Sequence, residues 1–227
     1  MNLLAFDTST ETLRAAALRS GTSAIEQEGA GGAQASACLL PLLQSLLARA
    51  GLALRDLDAI VFGRGPGSFT GLRTACSVAQ GLAFGANVPV LGIDTLLAVA
   101  EDARRRCGAS RVVALLDARM GEIYMGHYVH DGAAWQRDGD ILLARPEAVR
   151  VPEGFVLAGN AFGIYGDALP KDAPRVDAVP SATAMLRLAP ALIAAGGAHD
   201  AAQALPVYIR DKVAQTTEER AQARRKT

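Results

Sequence analysis

The sequence predicts a duplicated α/β fold, because one pattern of strands and turns occurs twice along the chain. An apolar run that ends at Asp7 continues at once into a second apolar segment, and the same plan returns around Asp117. Each pair of segments is typical of a β-hairpin. A later strand that ends at Gly63 also has a counterpart, which ends at Gly159. Two hairpins, each followed by a strand, a glycine and a helix, favour a repeated α/β unit.

Helices are predicted between these strands from the spacing of apolar and small residues. The first is rich in leucine and closes at Gly51, although Pro41 requires it either to start near that residue or to bend there. The second carries alanines at every fourth residue, a spacing that lets another helix approach closely. A buried strand is expected at 89–93 and a late extended segment at 206–209. The four predicted helices cover residues 34–50, 72–84, 95–106 and 181–195.

The composition argues against several functional classes. The 227 residues include 23 basic and 23 acidic side chains, so the net charge gives no reason to expect binding to nucleic acid or to membranes. No apolar run approaches the ~20 residues of a membrane span. The three cysteines lie far apart without a CxxC motif, as in buried, reduced thiols of a cytoplasmic protein, and no leader segment is expected. Local basic surface is expected at 104–111 and 220–226, and such runs are typical of solvated faces.

The glycine-rich segment GRGPGSFTGLR (63–73) follows an apolar strand and precedes a helix, an arrangement that can point backbone N–H groups at a phosphate. Ser68 or Thr70 is expected to cap the helix. The segment lacks the Lys-Ser/Thr pair of a Walker loop and the third glycine of GxGxxG. A tight turn that packs a helix against a sheet is the alternative interpretation. The candidate phosphate-binding residues, including the first hairpin turn, are Asp7, Thr8, Ser9, Gly65, Gly67, Ser68, Thr70 and Gly71.

No catalytic residue and no metal ligand are predicted. Asp7 at its strand end could hold a metal-bound water or a phosphate, whereas an Asx or Ser/Thr turn that closes the hairpin is the structural alternative. His127 and His130 lie three apart on a strand and face opposite sides, which disfavours them as two ligands of one ion. No histidine lies near a cysteine in the sequence to activate it as a nucleophile. An exposed strand face is expected around Arg119, Glu122 and Tyr124, and a loop at Trp135.

Five motifs in a fixed order carry a resemblance to a known family. LLAFDTST, GRGPGSFTGLR, VLGIDTL, LLDARMGEIYMGHY and LPVYIRDKVA resemble the bacterial TsaB (YeaZ) family over about residues 1–214. The resemblance implies the duplicated two-domain fold of the actin/Hsp70/hexokinase superfamily. It implies an actin-like domain at 1–108, which carries the glycine-rich loop and the partner helices. The second actin-like domain is expected at 109–227, with a charged tail that can pack back on the first.

The resemblance also implies a function. TsaB proteins take part in forming threonylcarbamoyladenosine in tRNA, where they bind the catalytic paralogue TsaD, and the ATPase TsaE joins that complex. The chain is therefore expected to be a non-catalytic scaffold subunit that stabilises TsaD and helps to recruit TsaE. Contact with tRNA is expected through the complex, with the arginine clusters as weak candidates for direct contact, and no membrane partner is expected.

The resemblance places the partner interface on the first two helices. Their composition agrees, because the leucine-rich helix is apolar on more than one face and its neighbour has small residues that permit close packing. The alternative is that both helices are covered by their own domain. Without TsaD the same surface is expected to form a homodimer with a second copy of the chain. The predicted interface residues are Leu39, Leu42, Leu43, Leu46, Leu72, Ala75, Cys76 and Ala79.

The chain departs from related sequences at two places. TsaD-type sequences carry an HxxxH metal motif where this chain has Thr95 and Val99, neither of which is a useful metal ligand. The glycoprotease-like, metal-dependent peptidase activity once attributed to the wider family is therefore disfavoured. The His-Ser-Glu-like stretch that opens the first helix of TsaB proteins reads Gln34-Ala35-Ser36-Ala37 here, which puts its role in partner contact in doubt.

A stand-alone ATP-dependent kinase or ATPase of the same superfamily is the alternative function. It rests on Asp7 and the GRGPGSFTG loop, while the second half of the chain offers only the modest turn 158–160 as an adenosine loop. The scaffold function requires no cofactor. Whether these loops bind ATP or only retain an inherited geometry is left open by the sequence.

Overall fold

The first lobe is a mixed five-stranded sheet with helices on both faces, seen in a computed structural model that describes residues 1–210. Its elements are β1 (Leu3–Asp7), β2 (Thr12–Leu18), β3 (Ile25–Ala30), α1 (Ala35–Ala50), β4 (Ala59–Gly65), α2 (Phe69–Ala86), β5 (Val90–Asp94) and α3 (Thr95–Cys107). The strand order is β3-β2-β1-β4-β5. The predicted β1–β2 hairpin is confirmed, while β4 and β5 run parallel to β1 because helices cross the sheet before and after β4.

The second lobe repeats this path. Its elements are β6 (Arg111–Arg119), β7 (Glu122–His130), β8 (Trp135–Ala144), β9 (Val156–Gly159), the short helix α4 (Phe162–Tyr165), β10 (Arg175–Asp177) and α5 (Ala182–Ala194). The sheet order is β10-β9-β6-β7-β8, which is the order of the first sheet when each strand is counted from the start of its own lobe. The β6–β7 hairpin and the parallel β6–β9 pair match the predicted repeat.

The helix limits differ from the prediction at two places. α1 runs through Pro41 without a break, and Ala37, whose carbonyl loses its helical partner there, is exposed and open to water. α2 begins after Ser68 and continues past Gly85, because Asn87 adopts the left-handed conformation (φ 54°) that ends the helix. The prediction that α2 stops at Gly85 was therefore wrong.

Three strands were not predicted, namely β3, β8 and β10. Each lies at a sheet edge and is at least half exposed; β3 and β10 lack the apolar run of an inner strand, and in β8 the apolar residues 141–144 follow an exposed polar stretch. Trp135, which was expected in a loop, begins β8 instead. The segment 206–209 forms no strand, although the Val207 amide donates to the Arg64 carbonyl over 2.7 Å.

α3 and α5 connect the two lobes. One side of α3 packs against the second sheet through Leu96, Val99 and Ala103. α5 packs on the first sheet, with Met185 buried against β1 and β4 strand residues, although it follows the second sheet in sequence. The chain thus returns to the first lobe after residue 181, so that packing does not follow a simple division at residue 108.

Two carboxylates on α3 fix this return. Glu101 is 8% exposed and accepts from Arg187 Nε at 2.8 Å and from Trp135 Nε1 at 3.0 Å. Asp102 is 6% exposed and accepts from Ser181 Oγ at 3.2 Å, from the Val179 amide at 3.1 Å and from Arg106 Nε at 2.7 Å. Because buried carboxylates are tolerated only when they are paired, these bonds specify how α5 and β8 sit on α3.

The cysteine and membrane expectations have mixed outcomes. Cys76 is buried and Cys38 half buried, but Cys107, at the end of α3, is exposed, which contradicts the expectation that all three thiols are buried. No helix within residues 1–210 is long and apolar enough to cross a bilayer.

Replacing Glu101 by alanine is expected to lower the free energy of unfolding by about 1–3 kcal/mol, since Arg187 and Trp135 both lose their acceptor. Trp135 is the only tryptophan of the chain, so its fluorescence during urea unfolding reports on this contact directly. Glu153→Ala, at an exposed position, is the control and is expected to change stability by less than about 0.5 kcal/mol. Equal stability of both variants would contradict the bridging role of Glu101.

Candidate functional site

The glycine-rich loop and both hairpin turns line a cleft between the lobes, with a cavity of about 330 Å³. Ser9 and Ser68 contribute from the first lobe, Asp117 and Arg119 from the second, and Tyr208 near the end of the described chain. The strands β1 and β4 are parallel, as are β6 and β9, so their C-terminal ends meet at this cleft. Ligands of open α/β sheets bind at such edges, which makes the cleft the candidate functional site.

Only part of the predicted phosphate-binding set lines the cavity. Ser9, Gly67 and Ser68 belong to its wall. Asp7, Thr8 and Gly71 are buried beneath the wall, Gly65 packs against Val207, and Thr70 is exposed on α2. The residues are therefore neighbours in space, but their side chains do not converge on one open site. Their use as a phosphate site stays a prediction.

The glycines of the loop are required by contacts within the chain. A Cβ on Gly71 would overlap with the carbonyl oxygen of Thr8, and one on Gly67 would lie 2.5 Å from Ser9 Cβ. A Cβ on Gly63 would overlap with the Asp7 carboxylate. Glycine is thus needed here for the close approach of the first hairpin turn to the loop and to α2, which is the alternative that the sequence left open.

Hydrogen bonds join the same segments. Thr8 Oγ1 donates to the Gly71 carbonyl over 2.7 Å, and the Ser68 amide donates to the Ser9 carbonyl over 2.8 Å. Ser68 Oγ caps α2 by accepting from the Gly71 amide at 3.5 Å, so Ser68 rather than Thr70 is the cap. The amides of Ser68 and Gly71 are therefore occupied by the chain itself rather than free for a phosphate.

Asp7 is buried with few partners. Its Oδ1 accepts from the amide and hydroxyl of Ser9, which is the geometry of an Asx turn, and its Oδ2 lies 3.5 Å from Thr95 Oγ1. Burial raises the pKa of Asp7 above its ordinary value, and the bonds from Ser9 offset this only in part. The side chain is 1% exposed and so closes the hairpin rather than facing the cleft.

The equivalent Asp117 lies on the cleft wall. Its Oδ1 accepts from Tyr165 Oη at 2.9 Å and from the Arg119 amide at 2.8 Å, while its own amide donates to Asn160 Oδ1. Arg119 forms an ion pair with Glu11 of the first lobe, across the cleft. Asp117 was predicted only as a repeat of Asp7 and not as a site residue. Because Asp7 was a candidate site residue, the repeat is the sequence signal that could have predicted Asp117 in the site.

The strand face after this turn is only partly exposed. Tyr124 is 7% exposed, and burial raises the pKa of its hydroxyl. Glu122 is partly exposed and pairs with Arg210 at 2.6 Å, while Arg119 is exposed. The expectation of a solvated face at Arg119, Glu122 and Tyr124 was therefore wrong for Tyr124.

The histidines do not form a metal site in the described part of the chain. His127 packs edge-on against Phe155 and His130 against Trp135, so the two are held in different environments. Thr95 and Val99 are fully buried, and Val99 belongs to the core around the second sheet. No group of three or more His, Cys, Asp or Glu side chains within residues 1–210 could hold a metal ion.

The arginine cluster at 104–111 lies mainly at the surface, with Arg104 half buried. Arg104, Arg105 and Arg106 form the last turn of α3, where cations stabilise the helix end, and Arg111 is exposed at the start of β6. Residues 220–226, with the charged tail, lie outside the described residues.

The eight predicted interface side chains are packed inside the first lobe. Each is at most 7% exposed and belongs to, or borders, the core between α1, α2 and the sheet. Both helices are therefore covered by their own lobe on that side. An interface through these helices stays a prediction, and the side chains free to make it lie on their outer faces.

Those outer faces carry few charges. Between Ser36 and Ala48 the exposed residues of α1 are small, apolar or uncharged, and Leu40 is 42% exposed. On α2, Phe84 is 83% exposed, and Gly81 and Gly85 beside it have open space where a side chain would stand. An exposed phenylalanine with a glycine on either side offers both a protruding ring and shallow depressions.

Comparisons with known proteins agree on one family. The family model for TsaD, tRNA N6-adenosine threonylcarbamoyltransferase, matches residues 32–219. A tRNA threonylcarbamoyladenosine biosynthesis protein TsaB from Escherichia coli is 36% identical, with 94% of this chain and 96% of the relative covered. The TsaB protein of Haemophilus influenzae is 35% identical over 94% and 95%. The solved structure of YeaZ from Pseudomonas aeruginosa is 42% identical, with a TM-score of 0.84 over 91% of this chain and 99% of that one.

Gly71→Ala is expected to destabilise the protein by about 3 kcal/mol or more, because the added Cβ meets the Thr8 carbonyl, a backbone atom that cannot turn away. Gly81→Ala in the same helix is the matched control. It meets open space and is expected to stabilise the helix by up to about 1 kcal/mol. Urea unfolding of both variants checks this. If Gly71→Ala were as stable as the unmodified protein, the close-packing explanation of the loop would be wrong.

Asp7→Asn is expected to keep or raise stability at neutral pH, since burial penalises the ionised carboxylate and raises its pKa. A raised folded pKa means that the folded state binds the proton more tightly. The contribution of Asp7 to stability therefore falls as pH rises from about 3.8 through the folded pKa.

Unfolding free energies of Asp7→Asn and the unmodified protein should converge at low pH and separate in favour of the variant at higher pH. Asp138→Asn, at an exposed position on β8, serves as the control. A clear loss of stability for Asp7→Asn at neutral pH would show instead that the charge has a stabilising partner.

Proposed function

The chain belongs to the TsaB family, and on that premise we propose that it acts in tRNA threonylcarbamoyladenosine biosynthesis as a non-catalytic subunit. In this proposal it binds and stabilises a TsaD-type transferase and helps to recruit a TsaE-type ATPase. Contact with tRNA comes through the complex. The subunit requires no cofactor of its own.

One observation carries the proposal. The chain matches the transferase family model over residues 32–219, yet Thr95 and Val99 stand where the resemblance to TsaD-type sequences places their metal-binding histidines. Both side chains are fully buried; Val99 lies in the apolar core, and Thr95 Oγ1 lies 3.5 Å from Asp7 Oδ2. A valine offers no lone pair to a metal, so a metal-dependent transfer or hydrolysis has no ligands at this place. A scaffold role uses the shared fold without that chemistry.

The glycine-rich loop gives the kinase alternative little support. Gly63, Gly67 and Gly71 are closely approached by residues 7–9, the Ser68 amide donates to the Ser9 carbonyl, and the Gly71 amide donates to Ser68 Oγ, as in a packed turn. The alternative requires ATP turnover by the isolated chain. Sustained turnover at a rate that falls with Ser68→Ala would favour it over the scaffold proposal.

We also assign both lobes to the actin/Hsp70/hexokinase superfamily, with an N-terminal domain at 1–108 and a second domain from 109. Identical strand order in the two sheets supports a duplicated fold of this kind. Because α5 packs on the first sheet, this helix of the second domain contributes to the core of the first. Separate expression of 1–108 should therefore expose apolar surface on β1, β4 and β5.

The proposed partner surface is the outer face of α1 and α2. It carries the exposed rings and methyl groups of Leu40 and Phe84 and no charge between Ser36 and Ala48. The core of a protein interface is typically depleted of charge and rich in aromatic residues. The same face is proposed to pair with a second copy of the chain when no TsaD-type partner is present.

Phe84→Glu is expected to weaken the complex with the TsaD-type protein of the same organism by roughly 100-fold, because it places a charge at the centre of an apolar contact. Light scattering after size-exclusion chromatography should show a one-to-one complex for the unmodified chain and separate components for the variant. Ile164→Glu is the matched control, an equally apolar residue that is 60% exposed on the second lobe.

Two outcomes would contradict the proposal at different points. Full tRNA-modifying activity of the TsaD-type protein without this chain would remove the scaffold function altogether. A complex that survives Phe84→Glu but not Ile164→Glu would keep the function and move the interface to the second lobe.

A further inference from the structure

The last described residues, 205–210, cross from the first lobe to the second along the cleft, and we call them the strap. Residues 207–210 form part of the cavity wall together with Ser68 and Arg119. Ala204, directly before the strap, is fully buried in the first-lobe core, and its carbonyl accepts from Gln80 Nε2 at 3.2 Å. The strap thus begins directly after a buried residue of the first-lobe core and then runs along the candidate site.

The strap is held to the first lobe at the glycine-rich loop. The Val207 amide donates to the Arg64 carbonyl over 2.7 Å, and the Val207 carbonyl oxygen would lie 2.6 Å from a Cβ on Gly65. The Tyr208 ring lies 5.3 Å from that of Phe69, between centroids, and Tyr208 Oη accepts from Arg73 Nε at 3.0 Å. A Cβ at Gly65 would therefore collide with the strap, at a position where Leu72 and the φ of 115° also favour glycine.

On the second lobe the strap is held at the β6–β7 turn. Arg210 Nη2 lies 2.6 Å from Glu122 Oε2 and 3.4 Å from the Arg119 carbonyl oxygen. Ile209 packs against the core around the second sheet. The strap therefore contacts both turns that frame the cleft, and residues 207–210 form one part of the cavity wall.

These contacts are few compared with those of a sheet strand. Within residues 1–210 the strap makes one main-chain hydrogen bond to the lobes, through Val207, in addition to a local turn at residue 205. Tyr208 is 46% exposed and Leu205 is 62% exposed. Segments with few buried apolar contacts and few backbone bonds open with less free energy than the core strands beside them.

We propose that the strap is a gate for the interlobe cleft. With the strap seated, Tyr208 and Arg210 narrow the cavity between the Ser68 and Asp117 turns, and small solutes enter faster when it is released. The gate is a property of the chain alone. It does not depend on the proposed role in tRNA modification.

Alkylation of a thiol placed inside the cleft tests this. Ala118 lines the cavity and is 5% exposed, so Ala118→Cys places the probe, in a background in which Cys38 and Cys107 are replaced by alanine and serine. Iodoacetamide is the solute. The labelling rate is expected to rise at least about tenfold in Tyr208→Ala/Arg210→Ala, and to rise also in Glu122→Gln, which breaks the same ion pair from the other side.

Two internal controls separate opening from unfolding. Lys171→Ala removes an exposed ion pair remote from the cleft wall and is expected to leave the rate unchanged. Cys76, 5% exposed in α2, should stay unlabelled in every variant. Unchanged labelling at position 118 in the strap variants would overturn the gate. Equal acceleration at Cys76 would overturn it as well, since the strap would then stabilise the whole fold rather than close the cleft.

Discussion

The arrangement of the two lobes depends on α3, a helix that has almost no solvent face before its last turn. Ala98 meets the core under the first sheet, whereas Val99 and Ala103 meet the second. A helix in this position can carry charged residues only if each has a partner nearby, because an unpaired buried charge is costly. Glu101 and Asp102 have such partners from α5, β8 and the segment before α5. Their ion pairs and hydrogen bonds therefore fix the position of one lobe, and of its cleft wall, relative to the other.

Close packing also explains the glycines of the glycine-rich loop. The turn at residues 7–9 comes so close to the loop that a Cβ at Gly63, Gly67 or Gly71 would collide with it, and Val207 imposes the same condition at Gly65. Glycines in a phosphate-binding loop admit a ligand, and the glycines of this loop admit neighbouring residues of the same chain; phosphate binding by this loop stays a prediction. From the sequence the two cases look alike, because the spacing of glycines does not say what approaches them.

Much of the fold could be predicted from the sequence for a physical reason. Inner strands such as β1, β4 and β6 are buried on both faces and stand out as apolar runs, and their repetition predicted two similar sheets. The edge strands β3 and β8 are largely exposed and carry charges such as Glu26 and Asp138, so β3 lacks that signal and β8 shows it only at residues 141–144. The site was only partly predictable, since the strap reaches Glu122 and Tyr124 from more than 80 residues away in sequence.

The interface prediction was also limited, because the sequence indicates that a residue is buried but not what covers it. Leucines at the spacing of Leu39, Leu43 and Leu46 indicate burial, but they do not distinguish a lobe's own sheet from a partner, and here the sheet covers them. The informative residues are the exposed ones. Charged side chains make up 20% of the chain, yet α1 and α2 carry only Arg49 and Arg73, near the C-terminal end of one helix and the N-terminal end of the other. Since solvent does not penalise surface charge, its depletion over two adjacent helices favours a surface that is covered in the working protein.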